Sequence, residues 1–312
     1  MVQGCKLIRL ALVGIGKIAR SQHLPALRAN AGYELTAAVS QHSTVEGTQT
    51  FSSLDALLRS DRRVDAVSLC TPPVGRHELA CAAIAAGLHV MLEKPPGATV
   101  AEVLELEQRA RRAGVSLFAS WHSREAPGVE PAREWLAARR IRQVRATWKE
   151  DIRVWHPGQN WILEAGGLGV FDPGINCFSI LTRILPGRMH LQRATLQVPV
   201  NRQGPIAATL DFVYEGNTPV HADFDFLYAG EPAWTLEIET DGGNLTLAQG
   251  GHRLHIGGKE KPLDTTGEYA KLYARFAQLI AERESDVDVM PLQHVADAFL
   301  LAQWRDAPAF EF

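Results

Sequence analysis

The sequence predicts an α/β protein of two domains: a doubly wound parallel sheet, then an α+β domain built on an open-faced, mostly antiparallel sheet. Three observations carry this expectation. Over the first ~120 residues short apolar runs alternate with helical patterns, as a parallel sheet with crossover helices requires. The second half loses that alternation and carries strand-like runs such as His221-Ala222-Asp223-Phe224-Asp225-Phe226, whose period of two fits a half-solvated strand. The chain has 312 residues, enough for two domains at about 150 residues each. The boundary is expected between residues 122 and 123, giving domains 1–122 and 123–312.

Each element follows from local cues. Residues 7–13 form a buried strand that breaks at Gly14-Ile15-Gly16, and a helix runs from Lys17 to about residue 30. Residues 35–39 are a second strand, and Ser52 or Ser53 caps a short helix over Leu54–Leu58. Strand 66–70 stops at Thr71-Pro72-Pro73. An Ala-rich helix over 77–86 then ends with Gly87 in the C′ position. Strand 89–92 stops at Pro95-Pro96-Gly97, and Thr99 with Glu102 is spaced as a capping box for a helix to residue 113. Strand 115–119 completes the parallel sheet. Beyond it, 129–138, 172–185, 269–281 and 292–304 read as helices, and 144–148, 191–198, 207–213, 220–226 and 234–240 as strands.

Composition excludes several classes. Hydrophobic residues make up 46% and charged residues 21%, which fits a packed core and not a disordered or fibrous chain. A net charge of −3 offers no basic excess to a nucleic acid or an anionic membrane. No apolar run approaches ~18 residues, so no membrane span is expected. Cys5, Cys70, Cys81 and Cys177 are too scattered for a disulfide framework or a zinc site. A reducing cytoplasm and no metal are the expectation.

Gly14-Ile15-Gly16-Lys17-Ile18-Ala19 is a G-x-G-x-x-A motif between a strand and a helix. Gly14 permits the tight turn, Gly16 lets a pyrophosphate approach, and Ala19 lets the helix pack on the sheet, with the helix N-terminus facing the anion. Dinucleotide binding is therefore expected of Gly14, Gly16, Lys17 and Ile18. An acid at the end of the second strand would select NAD; here stand Ser40, Gln41 and His42, with no carboxylate before Glu46. A hydroxyl and an imidazole tolerate a 2′-phosphate, although no arginine is present to grip one. The expected cofactor is NADP or NAD.

Three further stretches carry a resemblance. Residues 77–95 end in Glu93-Lys94-Pro95, Thr71-Pro72 precedes them, and Gly166-Gly167-Leu168-Gly169-Val170-Phe171-Asp172-Pro173-Gly174-Ile175-Asn176 lies in the second domain. Together with G-x-G-x-x-A these resemble the Gfo/Idh/MocA oxidoreductases, with Asn176 where that family's signature has His. Trp121-His122-Ser123-Arg124, Trp148-Lys149-Glu150-Asp151 and Trp155-His156-Pro157-Gly158-Gln159 narrow the resemblance to its bacterial L-arabinose and D-galactose 1-dehydrogenases. The resemblance implies oxidation of an aldopyranose at C1 to a lactone with NAD(P)+. It also implies a homo-oligomer paired through the C-terminal sheet. Cys70, Thr71, Pro72, His77, Glu93 and Lys94 join the expected cofactor set.

The residues support that chemistry in their own right. Lys94 follows a strand end, where α/β ligands bind, and can steady developing negative charge on a sugar oxygen. Glu93 can pair with Lys94 or touch the nicotinamide ribose. Asp172 and Asn176 are spaced i, i+4 on one helix face, so Asp172 can take the O1 proton while Asn176 orients the hydroxyl. Asp172 as a plain helix cap is the competing reading. Lys94 and Asp172 are expected to meet the same oxygen across the interdomain cleft. His122, Glu150, Trp155 and His156 are candidate sugar contacts, while core packing is the better reading for any single Trp. The alternatives in function are an inositol-type polyol dehydrogenase and a non-catalytic sugar or dinucleotide sensor.

Overall fold

Ile8–Val13 (β1) is apolar at every position but Arg9, and it takes a central place in a parallel sheet buried on both faces. A computed structural model of the chain describes residues 7–312; residues 1–6, with Cys5, lie outside the described residues. The other strands of this sheet are Tyr33–Val39 (β2), Thr50–Phe51 (β3), Ala66–Leu69 (β4), His89–Glu93 (β5) and Leu117–Ser120 (β6). Their order is β3-β2-β1-β4-β5-β6. Helices Leu24–Arg28 (α1), Leu54–Leu58 (α2), Arg76–Ala85 (α3) and Val100–Ala113 (α4) connect them. Strand order reverses between β1 and β4, and the loops after these two strands begin at Gly14 and Cys70. Crevices of this kind bind ligands in doubly wound folds.

The helix after Gly16 is not uniform. Ala19–His23 is a π-turn in which Leu24 N–H donates to Ala19 C=O. Pro25 follows and has no N–H to return to the preceding turn.

The first unit comprises residues 1–122 and, in addition, Gly267–Val289. The expected division gave 123–312 wholly to the second domain and is corrected by that helix. The helix Glu268–Glu282 buries Tyr269, Leu272, Tyr273, Phe276 and Leu279 in one apolar cluster with Ile8, Leu10, Met91 and Phe118. Its sequence reads as an amphipathic helix and does not say which sheet its apolar face will cover.

The second unit, Ser123–Thr266 with Met290–Phe312, holds a sheet of nine strands. They are Ile141–Lys149 (β7), Met189–Pro199 (β8), Ala207–Tyr214 (β9), Thr218–Asp225 (β10), Ala233–Thr240 (β11), Gly243–Ala248 (β12), Arg253–Ile256 (β13), Lys259–Glu260 (β14) and Ala302–Ala307 (β15). Neighbouring pairs are antiparallel except β10–β7 and β15–β8. Helices Val129–Leu136 (α5), Ile152–Trp155 (α6) and Phe171–Ile184 (α7) belong to this unit. α7 lies on the sheet through Phe171 and Phe178, whose rings sit 6.0 and 5.4 Å from Phe224. Gly174 permits this approach, since a Cβ there would meet the Phe224 ring at 2.8 Å.

The C-terminal helix differs from expectation. It covers Met290–Leu301, and the last residues read as helix instead form β15, pairing with β8. Ladder bonds to an existing edge outweigh the weak helical pattern of 302–304. No helix of the described residues is long and apolar enough to cross a membrane.

Candidate active site

In the first unit the site begins at the strand reversal. Gly14 has φ +89°, and a Cβ on it would meet Thr71 N at 2.8 Å, so glycine lets the two loops touch. A Cβ on Gly16 would meet nothing within 4 Å. Gly16 and Lys17 are exposed, Ile18 is half-buried and Ala19 is fully buried against the sheet. The Thr71 hydroxyl oxygen is buried with no hydrogen-bond partner among the described residues. Open space over Gly16, amides of an outward-facing first helical turn and this orphaned hydroxyl fit a phosphate-bearing nicotinamide dinucleotide. Pro72 is exposed beside Thr71. Ser40 Oγ accepts from Ser43 N–H at 3.1 Å and so shapes its own loop, on which Gln41 and His42 are exposed.

The Glu93-Lys94-Pro95 segment is held from two sides. Arg76 is 2% exposed and donates to the backbone carbonyls of Thr71, Glu93 and Pro95. On the other side, Glu93 Oε1 accepts from Tyr269 and lies 3.2 Å from His23 Nε2, while Oε2 accepts Lys94 N–H at 2.7 Å. His23 Nδ1 is 2.7 Å from the Tyr273 hydroxyl. The expectation that Glu93 reaches the cofactor or the Lys94 ammonium is therefore corrected. It is 3% exposed, and its carboxylate is committed to His23, Tyr269 and a backbone amide. Lys94 itself is half-buried at the strand end.

Two other expected site residues have partners of their own. His77 is bound to Glu105 of α4 at 2.6 Å, and the Cys81 Sγ lies 3.6 Å from the same ring nitrogen. His122 belongs to the first unit, where Nδ1 lies 2.7 Å from Glu268 and the ring stacks on Tyr269 at 5.7 Å. Cys70 is half-buried, with Sγ 3.9 Å from Ser68 Oγ. Trp121 is core, its indole N–H donating to Asp288 C=O at 2.9 Å.

Titration of this buried pair gives a stability prediction. Burial works against charge on His23, but Cys70, the Tyr273 hydroxyl and Glu93 outweigh it and hold its pKa well above the ordinary 6.5. Burial alone would raise Glu93; the His23 N–H and charge, His122 and the Tyr269 hydroxyl bring it down to about 2 from an ordinary 4.5. The Glu93 contribution is present above pH 4.5 and is lost as pH falls toward 2. The His23 contribution is present below pH 6.5 and is lost as pH rises through its raised value. Thermal unfolding midpoints should therefore be highest between these limits, and Glu93→Gln should flatten the acid limb. An acid limb unchanged in that variant would contradict the assignment.

In the second unit, Glu150 follows β7 and is 4% exposed. Its Oε2 accepts the Trp234 indole N–H at 2.9 Å, and its Oε1 lies 3.4 Å from His156 Nε2. His156 Nδ1 lies 3.7 Å from Asp172 Oδ2. The imidazole thus stands between two carboxylates, with the Phe226 ring edge-on at 5.5 Å. Asp172 occupies the first turn of α7, whose cap position is Val170 without a side-chain bond, so the plain-cap reading does not hold. Asn176 lies one turn on and is half-buried. Gly167 explains the entry to α7: a Cβ there would meet the Trp161 and Ile162 carbonyl oxygens at 2.2 and 2.4 Å. Trp155 is 39% exposed and packs edge-on to Trp234 at 5.0 Å, while Trp148 is buried. The structure therefore brings Glu150, His156 and Asp172 together and adds Trp234, which the sequence offered only as a strand residue.

A family model for the oxidoreductase family with an NAD-binding Rossmann fold, GFO_IDH_MocA, matches residues 8–120. The chain is 43% identical to galactose 1-dehydrogenase of Pseudomonas fluorescens, over 97% of this chain and 98% of that one. Among solved structures, D-galactose-1-dehydrogenase from Rhizobium etli superposes with a TM-score of 0.95 at 50% identity, covering all of both chains. A 3-ketoreductase from Actinomadura kijaniata in complex with NADP and TDP-benzene shares the fold, with a TM-score of 0.82 at 20% identity over 96% of this chain and 99% of that one. With its parallel sheet, glycine turn and second, mixed sheet, the chain belongs to the Gfo/Idh/MocA family of oxidoreductases.

Proposed function

We propose that the chain is a sugar 1-dehydrogenase, oxidising C1 of D-galactose or L-arabinose in the pyranose form to the lactone with NADP+ or NAD+. The observation that carries this reading is the row Glu150–His156–Asp172, with Asn176 one turn beyond Asp172 on α7. It offers a proton acceptor and several hydroxyl-binding groups, and the exposed Trp155 offers an aromatic face to the C–H side of a sugar. Two full-length relatives bear the name galactose 1-dehydrogenase.

The nicotinamide ring, when bound, is the hydride acceptor. Asp172 takes the O1 proton as the C1–H bond breaks and the carbonyl forms. Asn176 orients O1; Lys94, at its strand end in the first unit, keeps the role expected of it, a cation able to steady developing negative charge. His156, set between Asp172 and Glu150, fixes both carboxylates and presents a group for a further hydroxyl. Galactose and arabinose differ by one hydroxymethyl group, which a pocket that makes no hydrogen bond to it discriminates only modestly. The sheet of the second unit, with Leu300, Leu301 and Trp304 exposed beside or on β15, supports a homo-oligomer.

A panel of aldoses and inositol, followed by the absorbance of the reduced nicotinamide, tests the reading. Galactose and arabinose should be turned over and inositol left alone. Preference for inositol would move the assignment to a polyol dehydrogenase, and sugar binding without turnover to a sensor. Cofactor choice has its own test. With no acid at position 40, NADP+ should be used at least as well as NAD+, and Ser40→Asp should turn the preference to NAD+ by repelling a 2′-phosphate. A strong wild-type preference for NAD+ would contradict this reading of the loop.

A further inference from the structure

The loop after β2 contains no arginine, but the fold brings one to it. Arg20 follows Ala19 in the π-turn, and its guanidinium donates to Thr44 C=O at 3.2 Å, across 24 residues of sequence. Arg20 and Thr44 are exposed, as are Gln41 and His42. Between Val39 and Thr44 the loop has no carboxylate to occupy the guanidinium or to bond a ribose 2′-hydroxyl; the first acid is Glu46. The Ser40 hydroxyl oxygen already accepts from the amide of Ser43, which fixes the loop against which Arg20 rests. A guanidinium has five N–H donors in a planar fork, and one N–H contact to a carbonyl leaves the geometry suited to a phosphate in place. In a doubly wound fold the end of the second strand is where the adenosine ribose lies, and an arginine there receives a 2′-phosphate.

We propose that Arg20, reaching from the helix and not from the loop itself, is the residue that selects NADP(H) over NAD(H) by holding the 2′-phosphate. The inference rests on the proposed reading that the first unit binds a nicotinamide dinucleotide. It does not depend on which sugar is oxidised.

Binding of NADPH and of NADH, titrated separately by nucleotide fluorescence on the sugar-free protein, tests it. Arg20→Ala should weaken NADPH by about 10-fold or more, the cost of one charge-assisted contact, and leave NADH unchanged. Arg20→Glu should weaken NADPH further, again sparing NADH, and raising the salt concentration should narrow the difference between wild type and Arg20→Ala. NADH affinity serves as the control for folding of both variants. Equal NADPH affinity in wild type and Arg20→Ala overturns the proposal. So does a parallel loss of both nucleotides, or a wild type that binds NADH but not NADPH. A wild type that binds neither nucleotide overturns the dinucleotide reading itself and with it the role of Arg20.

Discussion

Replacing Asp172 by Asn is expected to lower kcat by about 10²-fold or more, the usual worth of a positioned general base. Hydride leaves C1 readily only if O1 loses its proton as the carbonyl forms. Asn keeps the shape of the side chain but cannot take that proton. The protein should stay folded, because the cap position of α7 is Val170 and not Asp172, and Asn keeps the size and the hydrogen-bonding oxygen of the side chain. Cofactor affinity should also hold, since the residues assigned to the dinucleotide are in the first unit. A loss in kcat with unchanged nucleotide affinity would place the defect in the chemical step. Near-normal kcat would pass the role of base to His156 or Glu150, its neighbours in the same row.

Arg76→Ala should be the most destabilising single change in the first unit, by about 3 kcal/mol or more. The side chain is buried and serves three backbone carbonyls, Thr71, Glu93 and Pro95. Each buried acceptor left without a donor costs about 1–3 kcal/mol. Arg76→Lys should recover little, because a point-like ammonium cannot reproduce a planar fork shared among three acceptors. The loss is read from denaturant unfolding. Turnover should fall as well, because the carbonyls on either side of Lys94 lose their common anchor. A loss under ~1 kcal/mol, the net worth of one ordinary hydrogen bond, would show that water replaces the guanidinium and that the anchor is not needed.

What the sequence made legible was local. The apolar runs of β1, β4 and β5 and the glycine turn after β1 announce a parallel sheet with an anion-binding helix. The i, i+4 spacing of Asp172 and Asn176 puts two polar groups on one face of α7. The network around Glu93 has no such signature. His23, Tyr269 and Tyr273 are each apolar-face residues of their own helices by pattern. They meet because separations of 70 and 176 residues close on Glu93, and one of 250 residues joins His23 to Tyr273. Trp234 reaches Glu150 over 84 residues, and only knowledge that β11 lies beside β7 would have joined them. Arg76 was overshadowed by its neighbour His77; a buried arginine at the start of an Ala-rich helix was the available clue. β15, six residues long, was lost because its first three continue a helical pattern and the rest carry no clear periodicity of their own.

The most direct measurement uses D-galactose carrying deuterium at C1 in place of hydrogen. After turnover with oxidised cofactor, the reduced nicotinamide and the sugar product are identified by mass. The account predicts that the deuterium is found on the nicotinamide and that the product is the lactone, free of the label. Deuterium retained in the sugar, with oxidation at another carbon, would contradict it.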